Sequence, residues 1–275
     1  MSASTVTAAN TSSSIMRQGQ AIRKEQTSLI DSIVHGDCLK IMKDISSGSI
    51  DMILCDLPFG TTACKWDTVI PFPPLWEQYE RIIKDNGAII LNGCQPFTSY
   101  LIMSNPKLFR YEWIWEKTIA SNFMNVKKNP AKKHENILVF YKKLPTYNPQ
   151  MEVGTAYKDT ARKRSDGNNK DDMYLHYLKE ETLKKPIKNE GTRYPSSIQK
   201  FPNPNNKNIH PTQKPVALFE YLIKTYTNDG ETVLDNCIGS GTTAIAAINT
   251  GRHFIGIEKE AQYVDISRIR IKKGA

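Results

Sequence analysis

From residue 32 onward, apolar residues fall into two kinds of pattern. Short runs at 50–55, 88–91, 111–115, 137–141, 233–234 and 254–257 have the length and the β-branched and aromatic content of strands. Between several of them the apolar positions recur every three or four residues, which predicts helices over 74–84, 216–225, 242–249 and 261–271. Such alternation predicts an α/β fold, a doubly wound and mostly parallel sheet with helices on both faces. Trp113 and Trp115 alternate with Glu112, Ile114 and Glu116, so their rings are read as the core side of a strand.

Two stretches break the pattern. Residues 1–28 are rich in Ser, Thr, Ala and Gln, hold no acid before Glu25 and show no periodicity, and read as a disordered tail. Arg17, Arg23 and Lys24 among many hydroxyls match a transit-peptide composition, but no amphipathic stripe accompanies them. Residues 144–208 are rich in Asn, Lys, Pro and Tyr and carry turn signals such as Asp166-Gly167-Asn168-Asn169. A connection that long reads as a functional insertion. The expected division is therefore a tail at 1–28, a core in two parts at 29–143 and 209–275, and an insertion at 144–208.

A chain of 275 residues with 39% hydrophobic content is large enough for one substantial core. Its apolar runs are far too short to span a membrane, so no membrane partner is expected. Five cysteines, an odd number without a Cys-x-x-Cys pair, indicate neither a disulfide framework nor a zinc site, and a reducing, cytoplasmic setting fits best. The five histidines show no ligand spacing, and no metal is expected. The net charge of +9 is unevenly placed: residues 127–207 hold 18 basic and 9 acidic residues, which accounts for all of it. A positive stretch between two neutral ones suits a polyanion such as nucleic acid, although a solvated lysine-rich loop has the same composition. Within it, Lys127, Lys128, Lys132 and Lys133, and further on Arg162, Lys163 and Arg164, are the candidate DNA contacts.

Two turns carry chemistry. The first is Asp235-Asn236-Cys237-Ile238-Gly239-Ser240-Gly241-Thr242-Thr243, between a predicted strand and a predicted helix. Its glycines would let a ligand approach the unpaired amides of a helix N-terminus, and Glu258, at the end of the next strand, could accept hydrogen bonds from ribose hydroxyls. This spacing also satisfies a dinucleotide fingerprint, so a nicotinamide enzyme has to be weighed. Only 17 residues follow Glu258, too few for the further β-α-β units of a dinucleotide half-domain, so the sheet is expected in a permuted order. The second turn, Asp56-Leu57-Pro58-Phe59, follows the 50–55 strand where open α/β sheets bind ligands. An exocyclic amine of a nucleobase is a poor nucleophile. A carboxylate and a carbonyl accepting its hydrogens would localise its lone pair, and an aromatic ring would hold the extruded base.

Taken in order, His35-Gly36-Asp37-Cys38-Leu39, Asp56-Leu57-Pro58-Phe59, His134-Glu135-Asn136-Ile137-Leu138-Val139-Phe140, His210-Pro211-Thr212-Gln213-Lys214-Pro215 and the 235–243 turn resemble the motif series of beta-type amino-group DNA methyltransferases. The resemblance covers about residues 30–270 and implies a permuted Rossmann-like methyltransferase fold with S-adenosylmethionine as cofactor. It implies catalytic roles for Asp56, Leu57, Pro58 and Phe59. For the cofactor it implies Asp37, Cys38, His210, Thr212, Gln213, Lys214, Asp235, Cys237, Gly239, Ser240, Gly241, Thr242, Thr243 and Glu258. The sequence departs from the family at Leu57 for proline, at Phe59 for tyrosine, and at Asn236 and Cys237 for proline and phenylalanine.

The function so implied is transfer of a methyl group to N6 of adenine in DNA. N4 of cytosine, a non-catalytic DNA-binding relative and a NAD-dependent oxidoreductase are the alternatives, and charge alone leaves RNA open. A homodimer and a cognate restriction endonuclease are partners that the resemblance allows.

Overall fold

The computed structural model describes residues 29–62, 64, 66–159, 187–204 and 213–273. They fall into two units: the described residues of the ranges 29–148 and 197–273 form the larger, and those of Pro149–Ser196 the smaller.

The larger unit is built on an eight-stranded sheet. Its strands are β1 (Ser32–His35), β2 (Ile50–Cys55), β3 (Ile83–Gly93), β4 (Phe109–Ser121), β5 (Lys132–Phe140), β10 (Ile198–Phe201), β11 (Thr232–Asp235) and β12 (His253–Glu258), in the spatial order β1-β12-β11-β2-β3-β5-β4-β10. Every neighbouring pair is parallel except the two that β5 makes, with β3 and with β4. The mostly parallel sheet read from the sequence is therefore present, with β5 the one reversed strand of this sheet.

Both faces of the sheet are covered, which is why its central strands are apolar throughout. All six residues of β2 are buried. Its side chains alternate: Met52 and Leu54 join one core, and Ile53 and Cys55 the other. β3 repeats this with Ala88 and Ile90 against Ile89 and Leu91. The first core is closed by helices α4 (Val216–Tyr226), α5 (Thr242–Asn249) and α6 (Ala261–Lys272), and includes Trp113 and Trp115. The second is closed by α2 (Phe72–Ile82) and α3 (Phe97–Ser104), together with Met42 and Ile45 beyond the short helix α1 (Cys38–Ile41).

Local sequence explains the ends of helix α2. Helix α2 opens on Pro73 and Pro74, whose missing N–H groups lie where a helix has none to pair, and buries Leu75, Trp76, Tyr79 and Ile82 on one stripe. It stops at Ile83, where the backbone turns extended and runs straight into β3, two residues before the predicted end. The two-stranded pairs of the smaller unit are β6 (Glu152–Val153) with β9 (Thr192–Arg193) and β7 (Tyr157–Asp159) with β8 (Ile187–Asn189), both antiparallel. Among the described residues, no helix is long and apolar enough to cross a membrane.

Candidate active site

Strands β12, β11, β2 and β3 are parallel neighbours, so their carboxyl ends lie along one edge. Glu258, Asp235 and Asp56 stand at three of these ends. With the turn after β1, they line a cavity of about 630 Å³, within the range that holds small-molecule ligands. The two motifs separated by about 180 residues of sequence thus meet because β2 and β11 pair directly.

The turn after β11 is held from within. The Asp235 carboxylate accepts the Cys237 N–H at 3.0 Å and the hydroxyl of Thr243, which ties both ends of the turn to one side chain. Burial pushes the Asp235 carboxyl up to about 7, against these two bonds. Gly239 and Gly241 adopt left-handed backbones, with φ of 52° and 86°. At Gly241 a Cβ would also stand 2.9 Å from the Cβ of Ser267, so glycine is required there twice over. Gly241 caps α5, and Thr242 and Thr243 of its first turn line the cavity. Glu258 accepts the N–H groups of Gly239 and Glu260, each at 2.8 Å, which fixes its carboxylate at the rim. Each of its oxygens keeps a further lone pair for a hydroxyl donor. Gln213 accepts from the Ser240 hydroxyl at 3.4 Å, and Arg270 donates to the Ser240 carbonyl at 2.5 Å and to its hydroxyl at 2.9 Å.

The turn after β2 presents the opposite condition. Lys214 donates to Asp56 Oδ2 at 2.5 Å, while Asp56 Oδ1, buried from solvent, has no hydrogen-bond partner among the described residues. Burial pushes the Asp56 carboxyl up, opposed chiefly by the ammonium of Lys214. Lys214 is itself buried, with 6% of its side chain exposed, and lies 3.3 Å from Glu135 Oε2. Burial alone would favour its neutral form, but Asp56 and Glu135 override this and hold it protonated. Glu135 in turn accepts from Lys117 at 2.5 Å, and its carboxyl is lowered by the two ammonium groups despite burial. Phe59 packs on Phe97, with ring centroids 5.0 Å apart, and Lys214 Nζ lies 5.7 Å from the Phe59 ring centroid. Beyond Phe59 the chain is held by Asp67, which accepts the N–H groups of Gly60, Thr61 and Thr62 at 2.7–2.9 Å. Burial works against ionisation of Asp67, but these bonds win and lower its carboxyl.

One end of the cavity therefore offers a helix terminus and a carboxylate rim suited to a nucleoside. The other offers a buried acceptor beside an aromatic ring. A family model described as DNA methylase matches residues 50–268. The chain belongs to this family. It is a beta-type amino-group DNA methyltransferase that uses S-adenosylmethionine. Among similar proteins are the DNA adenine methyltransferase YhdJ of Escherichia coli, 28% identical over 87% of this chain and 82% of that protein, and the Type II methyltransferase M1.MboII of Moraxella bovis, 28% identical over 86% of this chain and 94% of that protein. Two solved structures share the fold. They are the M1.HpyAVI–SAM complex (TM-score 0.58, 24% identity, 87% of this chain and 98% of that one) and the PvuII cytosine-N4-specific DNA methyltransferase (TM-score 0.61, 16% identity, 87% of this chain and 85% of that one).

In this methyltransferase the other expected site residues are placed as follows. Asp37 caps α1 through bonds from Leu39 N and Lys40 N, and with Cys38 lines the cavity. Lys214, expected on the cofactor side, directs its ammonium to Asp56 and Glu135. Its backbone carbonyl accepts from the Thr242 hydroxyl at 3.4 Å. His210 and Thr212 lie outside the described residues, as do Arg162, Lys163 and Arg164. Lys127 and Lys128 are exposed on the turn before β5, Lys132 borders the cavity, and Lys133 lies 3.8 Å from Glu116. Asn122, in the left-handed region at φ 66°, clasps this turn by donating to Asn129 and Pro130 and accepting from Lys132 N. The departure at Asn236 has a physical partner: its side-chain oxygen accepts the buried Tyr79 hydroxyl at 2.5 Å.

Sequence reading missed Glu135 and Lys117 as cavity groups, and Asp67 as the anchor of the following loop. Each could have been suspected. Lys117 continues the buried alternation of Trp113 and Trp115, Glu135 stands directly before the buried run 136–140, and Asp67 follows a glycine-threonine turn whose amides need an acceptor.

Proposed function

We propose that this DNA methyltransferase modifies the N6 amino group of adenine. The observation that supports it best is the half-satisfied carboxylate of Asp56: one oxygen is held by Lys214 and the other is buried, unpartnered among the described residues and beside the cavity. A buried acceptor without a donor is costly, and an exocyclic amine supplies the missing N–H. S-adenosylmethionine, when bound, supplies a methyl group on a positive sulfur that needs no further activation. The work left to the chain is positioning and electrostatics. In this reading Asp56 Oδ1 accepts one amine hydrogen and the Leu57 carbonyl the other, so that the lone pair gathers on nitrogen and points at the methyl carbon. Pro58 stiffens that turn, and Phe59 stacks on the extruded base. Methyl transfer would leave the amine nitrogen with a surplus proton, and Asp56 would take it.

Glu258 would hold the ribose hydroxyls, and Asp37 and Cys38 the adenine side of the cofactor. Residues 235–243 with Gln213 would hold its methionine side. Residues 144–208 would read sequence, and Lys127, Lys128, Lys132 and Lys133 would meet phosphates. Two of the similar proteins bear on the choice of base in opposite directions: YhdJ is named for adenine and the PvuII enzyme for N4 of cytosine. Adenine is favoured because the first catalytic position is an acid, which the family resemblance associates with that base. A cytoplasmic enzyme, with a homodimer and a cognate restriction endonuclease as partners, completes the reading. The test is incubation with labelled cofactor and DNA of mixed sequence, followed by nucleoside analysis. N6-methyladenine is expected, and N4-methylcytosine as the sole product would overturn the assignment of the base.

A further inference from the structure

Resting on the proposed role of Asp56, we infer that Glu135 and Lys117 are positioning residues for that carboxylate: they fix the Lys214 ammonium so that it neutralises one oxygen and leaves the other to the target amine. The four groups form a chain of alternating sign, Lys117–Glu135–Lys214–Asp56, with separations of 2.5, 3.3 and 2.5 Å. All four border the cavity.

The pair with Lys214 is the main charge opposing the burial of Asp56. Two further charges buried beside it cost several kcal/mol in desolvation before they pair, so the longer chain is a poor device for stability alone. Its geometry suggests another use. An ammonium carries three N–H donors and no preferred direction, so a lysine with one carboxylate partner can straddle both oxygens. Glu135 draws Lys214 to its other side, and Asp56 Oδ1 stays open. Glu135 is held in turn because β5 pairs antiparallel with β4, and Lys117 lies 5.0 Å from the ring centroid of the buried Trp115.

The arrangement predicts opposite pH effects. The groups facing Asp56 are Lys214, Glu135 and Lys117, with Asp235 on the adjacent strand and the Cys55 thiol beside it. Removing the Lys117 charge leaves Glu135 uncompensated and disfavours ionised Asp56. Removing the Glu135 charge does the reverse. We would measure single-turnover methylation against pH, cofactor affinity by calorimetry, and melting temperature for wild type, Lys117→Met, Lys117→Arg and Glu135→Gln. Both neutral variants should lose about tenfold or more in rate while cofactor affinity stays within about twofold. The acidic limb should move up by about one pH unit in Lys117→Met and down in Glu135→Gln, and Lys117→Arg should restore it. Limbs that stay in place, or that move in the same direction, would overturn the inference, as would a fall in rate matched by an equal fall in cofactor affinity. A wild-type protein that transfers no methyl group to DNA would instead count against the proposed function.

Discussion

Asp56 and Asp235 end adjacent strands, and burial pushes both carboxyls up, yet their surroundings treat them differently. Asp235 is satisfied on both oxygens by a hydroxyl and an N–H from its own turn, and so serves the shape of the backbone. Asp56 is met by a distant ammonium on one oxygen and, among the described residues, by nothing on the other. A fully partnered buried acid organises structure, whereas a half-partnered one is available for chemistry.

The contrast can be broken most directly at Asp56. Asp56→Asn should lower methyl transfer by about 10²–10⁴-fold while leaving cofactor affinity nearly unchanged, as measured with labelled cofactor and by calorimetry. Near-normal transfer would place the chemistry elsewhere. Asp235→Ala should do the reverse of sparing the cofactor. It leaves the Thr243 hydroxyl and the Cys237 N–H without an acceptor, at about 1–3 kcal/mol per group, and should lower both stability in urea and cofactor affinity. Unaltered binding with lowered stability would confine its role to folding.

Acidity sharpens the comparison further. Between the ordinary carboxylate value and about 7, folded Asp235 keeps a proton that the unfolded chain has released. Its contribution therefore declines as pH rises through that window, and Asp235→Asn should flatten that part of the curve. Asp67 acts with the opposite sign. Its folded value is lowered, so its contribution is present above the unfolded value and is lost as pH falls through the folded one. Melting temperatures of wild type, Asp235→Asn and Asp67→Asn across about pH 3 to 8 would show both slopes, and identical slopes in all three would refute them. The smallest effect concerns DNA. Replacing Lys127, Lys128, Lys132 and Lys133 by Gln should reduce the salt slope of DNA affinity by about 0.9 for each phosphate that is no longer neutralised. An unchanged slope would show that this turn does not meet the backbone.

What the sequence disclosed follows from how local each signal is. Strands β2, β11 and β12 and helices α4, α5 and α6 were legible because their apolar pattern and flanking turns lie within a few residues. Strand β1 was not delimited, and α3 was missed: its eight residues are apolar on most sides, which leaves no periodic signature. The turn at 56–59 and the turn at 235–243 could be read as segments, and their meeting rested on the permuted order, which the β2–β11 pairing explains. The approach of Lys214 to Asp56 and Glu135 was not legible. It depends on side chains 158 and 79 positions away in sequence, brought together by sheet order and not by spacing.

That strand order also bears on how the enzyme comes into being. β1 and β2 are separated by only 14 residues of chain, yet two strands stand between them, drawn from residues 232–258. While the polypeptide emerges from a ribosome, the place between β1 and β2 remains a gap until residues 232–258 arrive. Long-range closure of this kind is slow and leaves apolar strand edges exposed meanwhile. Asp56 thus acquires its neighbouring strand, the one that carries Asp235, only after residues 232–235 have been made, long after β2 itself.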